Sequence, residues 1–293
     1  MDNAEVDLYE YQPFQKDSKV VTLEEPASIE FDGDLPVLDG ATALYPVYSA
    51  FANATYPEME YDVYESEVMA NKTPNAYKNI TNGRVDVIFA AGPSERQLQY
   101  ADQKEVELNL TPIGREAFVF FVHSDNPVEG LTLQEIQDIY AGTIKNWKEV
   151  GGKDEEIRAF QRPDDSGSQT ALENLMEDKA LMEAPTDDIV SGMGGIIEQT
   201  SNYKNYKNAI GYSFRYFSMD MVENDKIKHI EVDGVMPSKE TIRTGEYPLS
   251  SEFYAITAVS ENLNVPPFID WILSEEGQSL IERTGYVPME DYE

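Results

Sequence analysis

Hydrophobic and polar positions follow two rhythms along this chain. Residues 35–38 (LPVL) form a short apolar run that predicts a strand, with Asp39-Gly40 as the turn after it. The apolar spacing of TALYPVYSAFANATYP then predicts a helix. Residues 59–66 (MEYDVYES) alternate with period two and predict a further strand. KTPNAYKNITNG reads as a helix with Pro74 in its first turn, and VDVIFAAG as a fully buried strand of the parallel-sheet kind. Downstream, PIGREAFVFFVHSDNPV predicts a long apolar strand. LTLQEIQDIYAG predicts a helix capped by Thr132, and TIKNWKEVGG a loop. A second alternation follows: IRAFQRP, a helix start at SGS, the segment DIVSGMGGIIEQTSN, and AIGYSFRYF. YPLSSEFYAITAVS predicts a late strand, and PPFIDWILSEEGQSLIERTG a single closing helix.

Strands alternating with helices place the chain in the α/β class, as two α/β units. Residues 1–34 lack this rhythm and read as an acidic, extended N-terminal arm, partly ordered by Tyr9, Tyr11 and Phe14. At 293 residues, 41% of them hydrophobic, the chain has material for two cores.

Charge narrows the set of partners. With 55 acidic against 22 basic residues the formal net charge is -33, which argues against nucleic acid and against anionic membrane surfaces. No cysteine is present, which excludes disulfides and thiol chemistry in this chain. No apolar run approaches the roughly 20 residues of a membrane span. The opening MDNAEVDLYE has no signal-peptide pattern, an opening shared by processed extracellular chains and cytoplasmic ones; acidity without cysteine leans to the exterior.

Three turns carry the candidate chemistry: Asp39-Gly40-Ala41-Thr42, Thr73-Pro74-Asn75-Ala76 and Ser166-Gly167-Ser168. Each places small or hydroxyl residues where a helix begins, where unpaired N–H groups and the helix dipole favour an anion. Taken singly, each is more often an ordinary N-cap, since Ser, Thr and Asn are the preferred caps. Their joint occurrence, with Arg162 four residues before Ser166, points to an anion site. Arg162 supplies a donor fork suited to phosphate or carboxylate, and Asp164 is placed to hold it; a surface ion pair between these two is the alternative.

Enzymatic readings find little support. His123 and His229 are far apart, lack metal-ligand spacing, and are expected on the surface or in loops. No nucleophile elbow, phosphate-binding P-loop or dinucleotide fingerprint occurs, and the glycines of GMGGII read as a turn before a helix. No cofactor and no resident metal are expected.

The ordered set LDGATALYPVYSAF, GRVDVIFAAGPSERQ, PIGREAFVFFVHSDNPV, LTLQEIQDIYAGTIKNWKEVGG and RPDDSGSQT resembles the phosphate-binding proteins of ABC importers, within the periplasmic-binding-protein superfamily. The resemblance spans about residues 35–290. It implies a two-lobed periplasmic-binding-protein-like fold, two α/β domains joined by two crossing strands (FVFFV and FYAIT), with hinge closure on a ligand in the cleft. One lobe would comprise residues 35–115 with 250–293, the other residues 120–245. It further implies ligand contacts from the Ala41 N–H, Thr42, Thr73 and Asn75 on one side. Arg162, Ser166, Gly167 and Ser168 would supply the other, with Asp164 in support; Ser168 stands where the family carries threonine. The implied function is capture of inorganic phosphate by an extracellular, lipid-anchored monomer that serves an ABC permease and catalyses nothing. One position departs from the family pattern: Ala91-Gly92-Pro93-Ser94 holds no carboxylate where members carry a proton-accepting acid, and that role does not pass to Asp86. Another oxyanion or a phosphorylated small molecule therefore stays open as the ligand. A phosphate-ester enzyme and a sensor outside transport are the remoter alternatives.

The net charge yields a prediction. At physiological salt, charges beyond about 8 Å are screened, so local donors set affinity while the global field slows the approach of an anion. Added salt is expected to raise the association rate, as measured by stopped-flow mixing with the ligand.

Overall fold

The computed structural model describes residues 6–184, 189–190, 197–198, 200, 207–222 and 224–289. The glycines of GMGGII, and most of the segment around them, lie outside the described residues. In chain order the first elements are β1 (Leu38–Gly40), α1 (Tyr45–Thr55), α2 (Lys72–Thr81), β2 (Val87–Ala90), α3 (Glu95–Gln103) and β3 (Asn109–His123). Next come β4 (Gly130–Leu131), α4 (Leu133–Tyr140), β5 (Arg158–Ala159), α5 (Gly167–Met176), β6 (Ala209–Phe214), β7 (Ile227–His229) and β8 (Glu231–Val232). The last are α6 (Lys239–Arg243), β9 (Ser250–Thr257), α7 (Val265–Ile272), α8 (Glu275–Thr284) and β10 (Val287–Pro288).

These elements divide between two compact α/β units, one built from Asp7–Arg115 and the chain from Glu252 on, the other from Glu116–Ser251. The chain passes from the first to the second inside β3 and returns inside β9, so two strands serve as the crossings.

In the first unit β1 runs parallel to β2, β2 pairs antiparallel with β9, and β10 pairs with the early part of β3. All four residues of β2 are buried, the pattern of a strand covered on both faces. Phe89 stacks on Tyr48 of α1 at 4.8 Å between ring centroids. Phe51 continues this layer to Phe268 and Trp271 of α7. Helix α1 is apolar nearly all round because both sheet and helices cover it. In the second unit the later part of β3 pairs antiparallel with β6 and β7, and β5 lies parallel to β6. Phe118, Phe120, Tyr140 and Tyr212 fill its centre. Thr132 caps α4 reciprocally with Glu135, as its position in the sequence predicts.

Several expectations are corrected. The first strand sits at Leu38–Gly40 rather than at residues 35–38, and Asp39-Gly40 lies within it, buried. Residues 59–66 form no strand: the Asp62 carboxylate accepts from the N–H groups of Tyr64 and Glu65, and this local turn replaces a ladder. The loop after α4 contains a 3-10 turn, Trp147–Val150, capped by Asn146. The closing helix is two helices, parted at Leu273 and Ser274. Gly277 packs so closely on the Ile272 backbone that a Cβ there would sit 2.4 Å from its carbonyl oxygen. The N-terminal arm is a packed strap. Leu8 and Tyr11 are buried, Gln12 donates to the Tyr61 carbonyl at 2.9 Å, and Phe31 packs on Tyr56 and Phe268. Neither histidine is a surface loop residue: His123 is buried in β3, and His229, in β7, is 2.8 Å from the Ser218 hydroxyl.

Two buried groups of the second unit give opposite pH dependences. Glu116 accepts from the N–H groups of Ala117 and Tyr216, and burial pushes its carboxyl up to about 7 against the pull of Arg215. Burial, with Arg215 adding to it, pushes His229 down to about 4. The folded state holds the Glu116 proton more tightly than the unfolded chain does. That stabilisation is complete below the ordinary carboxylate value and is lost as pH rises through about 7. His229 is the reverse: its contribution is present above the ordinary imidazole value and is lost as pH falls through about 4. Glu116→Gln is therefore expected to make stability rise more steeply with pH between about 4.5 and 6.5, and His229→Gln to make it rise less or fall. Urea titrations across this range check both signs. Gly40→Ala is expected to cost roughly 1–3 kcal/mol. The added Cβ would lie 2.5 Å from the Phe89 carbonyl oxygen and 2.9 Å from the Tyr48 ring, and a lowered urea midpoint at unchanged slope would register it.

Candidate functional site

In the first unit, β1 ends at Gly40 and a 3-10 turn, Thr42–Leu44, leads into α1. The Ala41 N–H donates to the Phe89 carbonyl at 2.9 Å, extending the parallel ladder by one bond. This corrects the expectation that it serves a ligand: the donor is already committed. Leu44 N–H closes the turn on the Ala41 carbonyl at 3.0 Å. The N–H groups of Thr42 and Ala43 stand at the turn's start and have no partner among the described residues. Ala43 escaped the sequence reading, although a residue one place inside a helix start is the signal for such a donor.

Thr73 and Asn75 both lie inside α2 rather than in a turn before it. Thr73 is buried and Asn75 exposed, so the helix presents the two side chains on different faces. Beside them is a residue that sequence reading treated as part of a turn. The Asp39 carboxylate is fully buried and accepts four hydrogen bonds. They come from Gly40 N–H at 2.8 Å, Asn71 N–H at 2.7 Å, Asn71 Nδ2 at 3.1 Å and Asn79 Nδ2 at 2.8 Å. It ties both ends of α2 to the end of β1. Asp86, by contrast, accepts from Val37 N–H and the Ser260 hydroxyl and is a structural group.

In the second unit, the chain leaves β5 through Phe160 and Gln161 to Arg162, turns over Pro163 to Asp165, and enters α5. Asp165 takes the left-handed conformation (φ 63°) that aspartate tolerates in such turns. Ser166 is the N-cap, its Oγ accepting from Gln169 N–H at 3.3 Å. The cap uses the hydroxyl as acceptor and leaves its proton for donation, so capping and anion binding are compatible. The N–H groups of Gly167 and Ser168 open the helix and have no partner among the described residues. Arg162, Ser166, Gly167 and Ser168 are thus gathered at one helix start, while Asp164 lies on the exposed turn beside it.

A polar network invisible in the sequence holds this turn. Arg162 N–H donates to Gln169 Oε1 at 3.0 Å and to the Tyr212 hydroxyl at 2.8 Å, and that hydroxyl donates in turn to Gln169 Oε1. Gln161 donates to the Met182 carbonyl at 2.9 Å. Burial raises the Tyr212 pKa, keeping the phenol a donor at neutral pH. The Arg162 side chain is itself buried, and burial pushes its guanidinium down to about 10, which still leaves it charged at neutral pH. A desolvated cation is costly without negative charge to face. A buried arginine four residues before a helix start with two open N–H groups and two serine hydroxyls is a residue set suited to a tetrahedral oxyanion.

The PBP superfamily domain matches residues 36–276. The chain is 30% identical over 264 residues to the phosphate-binding protein PstS of Bacillus subtilis, covering 87% of this chain and 80% of that one. It is 27% identical over 215 residues to PstS of Borreliella burgdorferi, covering 70% of this chain and 75% of the relative. A solved structure from Clostridium perfringens, assigned as a phosphate ABC transporter substrate-binding protein and holding phosphate, superposes with a TM-score of 0.68 at 28% identity. That match covers 86% of this chain and 98% of that one. The strand-to-helix turns described above all fall within the matched span, and the chain belongs to the PBP superfamily, among the PstS phosphate-binding proteins.

Proposed function

We propose that this protein captures inorganic phosphate outside the cell and hands it to an ABC importer, without catalysing a reaction. The observation that carries the reading is Arg162, a buried cation at the start of α5 beside Ser166, Gly167 and Ser168. The printed names of the PstS relatives and of the phosphate-bound Clostridium perfringens protein support it. In this reading the two units act as the lobes of a binding protein. Thr42, Ala43 and Thr73 are the candidate donors of the first unit, and the Arg162 turn holds those of the second. Asp164 steadies the guanidinium, and Asn75, exposed, is the weakest member of the set. Action as a monomeric, lipid-anchored binding protein completes the proposal; among the described residues no helix is long and apolar enough to cross a membrane.

A second reading, binding of another oxyanion, is favoured by one place in the first unit. Residues 91–94 carry no carboxylate, and Ser94 is occupied in a reciprocal cap with Gln97. A site that offers only donors and hydroxyls has no strong acceptor for the proton that distinguishes hydrogen phosphate from sulfate.

Calorimetric titration of ligand-stripped protein with phosphate and then sulfate, at two pH values, separates the readings. Phosphate alone binding supports the first, comparable binding of both supports the second, and binding of neither removes both. Arg162→Ala is expected to weaken binding by roughly 2–5 kcal/mol, and Ser166→Ala by about 1–2 kcal/mol. Unchanged affinity in both variants would reduce this turn to a helix cap.

A further inference from the structure

Asp39 is the most heavily bonded buried charge of the first unit, and its partners are unusual. Two of its four hydrogen bonds come from Asn71, the residue before α2. Asparagine there ordinarily turns its side-chain oxygen onto an N–H of the first helical turn. Asn71 makes no such bond. Its backbone (φ -86°, ψ 13°) is away from the extended conformation of a capping residue, and its amide donates to Asp39 instead. The following residue, Lys72, is held left-handed at φ 69°, a conformation that disfavours a side chain. Of the N–H groups that a cap reaches, the third helical position is Pro74, which has none, so a cap at this start would take the N–H of Thr73. That N–H has no partner among the described residues.

A carboxylate three residues before the open Thr42 N–H opposes an anionic ligand by its charge, so its place here calls for a different contribution. We propose that Asp39 is a positioning residue for anion binding: by clamping Asn71 away from the helix start it keeps the Thr73 N–H open to the ligand. The inference rests on the oxyanion reading given above. Asn79, bonded to the same carboxylate, holds α2 in register with β1 while the clamp acts.

Asp39→Asn replaces one acceptor oxygen by a donor facing the amides of Asn71 and Asn79. Asn71 is then released to cap Thr73. Phosphate affinity is expected to fall about tenfold, the scale of one hydrogen bond to a charged group. Exchange of the Thr73 amide hydrogen, followed by NMR in the ligand-free protein, should slow. Adding Asn71→Ala to Asp39→Asn removes the competing cap: most of the affinity should return and Thr73 exchange quicken, although stability to urea falls further. A purely structural Asp39 predicts the opposite, with affinity and stability declining together, and that result overturns the proposal. Should Asp39→Asn fail to fold, Asn71→Thr and Asn71→Ala make the comparison with Asp39 intact. Threonine, too short for the clamp yet able to cap, should give the more stable protein and the weaker phosphate binder; equal affinities or the reverse order refute the clamp. Wild-type protein that ignores phosphate while Thr73 exchange follows the expected order would remove the anion reading and leave the clamp standing. Identical Thr73 exchange in all variants would end the inference whatever the protein binds.

Discussion

A buried charge has to be answered by its surroundings, and two of them organise this protein. Asp39, in the first unit, is answered by four N–H donors drawn from β1 and from both ends of α2, so the carboxylate sets where that helix lies against the sheet. Arg162, in the second unit, keeps its charge in a buried position just ahead of α5. The first charge is used in building the fold.

Both units rely on the same local device. A strand ends, the chain turns within a few residues, and a helical turn begins whose N–H groups (Thr42 and Ala43 in one unit, Gly167 and Ser168 in the other) find no backbone partner among the described residues. Rigid packing behind each turn makes this useful. Phe89 on Tyr48 and the Phe51–Trp271 layer support the β1 turn, while the Gln169–Tyr212 bonds fix the backbone of Arg162. Donors held in place before the ligand arrives lose little freedom when it binds.

Strongly periodic segments were legible in the sequence. The buried β2, the long β3, the capped α4, the start of α5 and the α/β class all followed from apolar spacing and cap chemistry. Short elements were not. Residues 59–66 alternate like a strand, yet Asp62 offers the backbone a nearer partner, and β1 shifted because three of the four donors to Asp39 come from residues more than 30 positions away. Arg162, Ser166, Gly167 and Ser168 come together at one helix start because they are neighbours in the chain. Ala41 was misjudged because its N–H is taken by a carbonyl on another strand.

Sequence alone therefore determined what depends on local spacing: the strongly periodic helices and strands, where caps sit, and the helix start at Ser166 in RPDDSGSQT. Tertiary structure decided what depends on partners distant in the chain. It placed Asn71 on Asp39 instead of on its own helix, gave Arg162 N–H to Tyr212, and buried the guanidinium. The physical reason is that a hydrogen-bond donor goes to whichever acceptor the fold brings nearest and driest, and sequence spacing cannot name that acceptor.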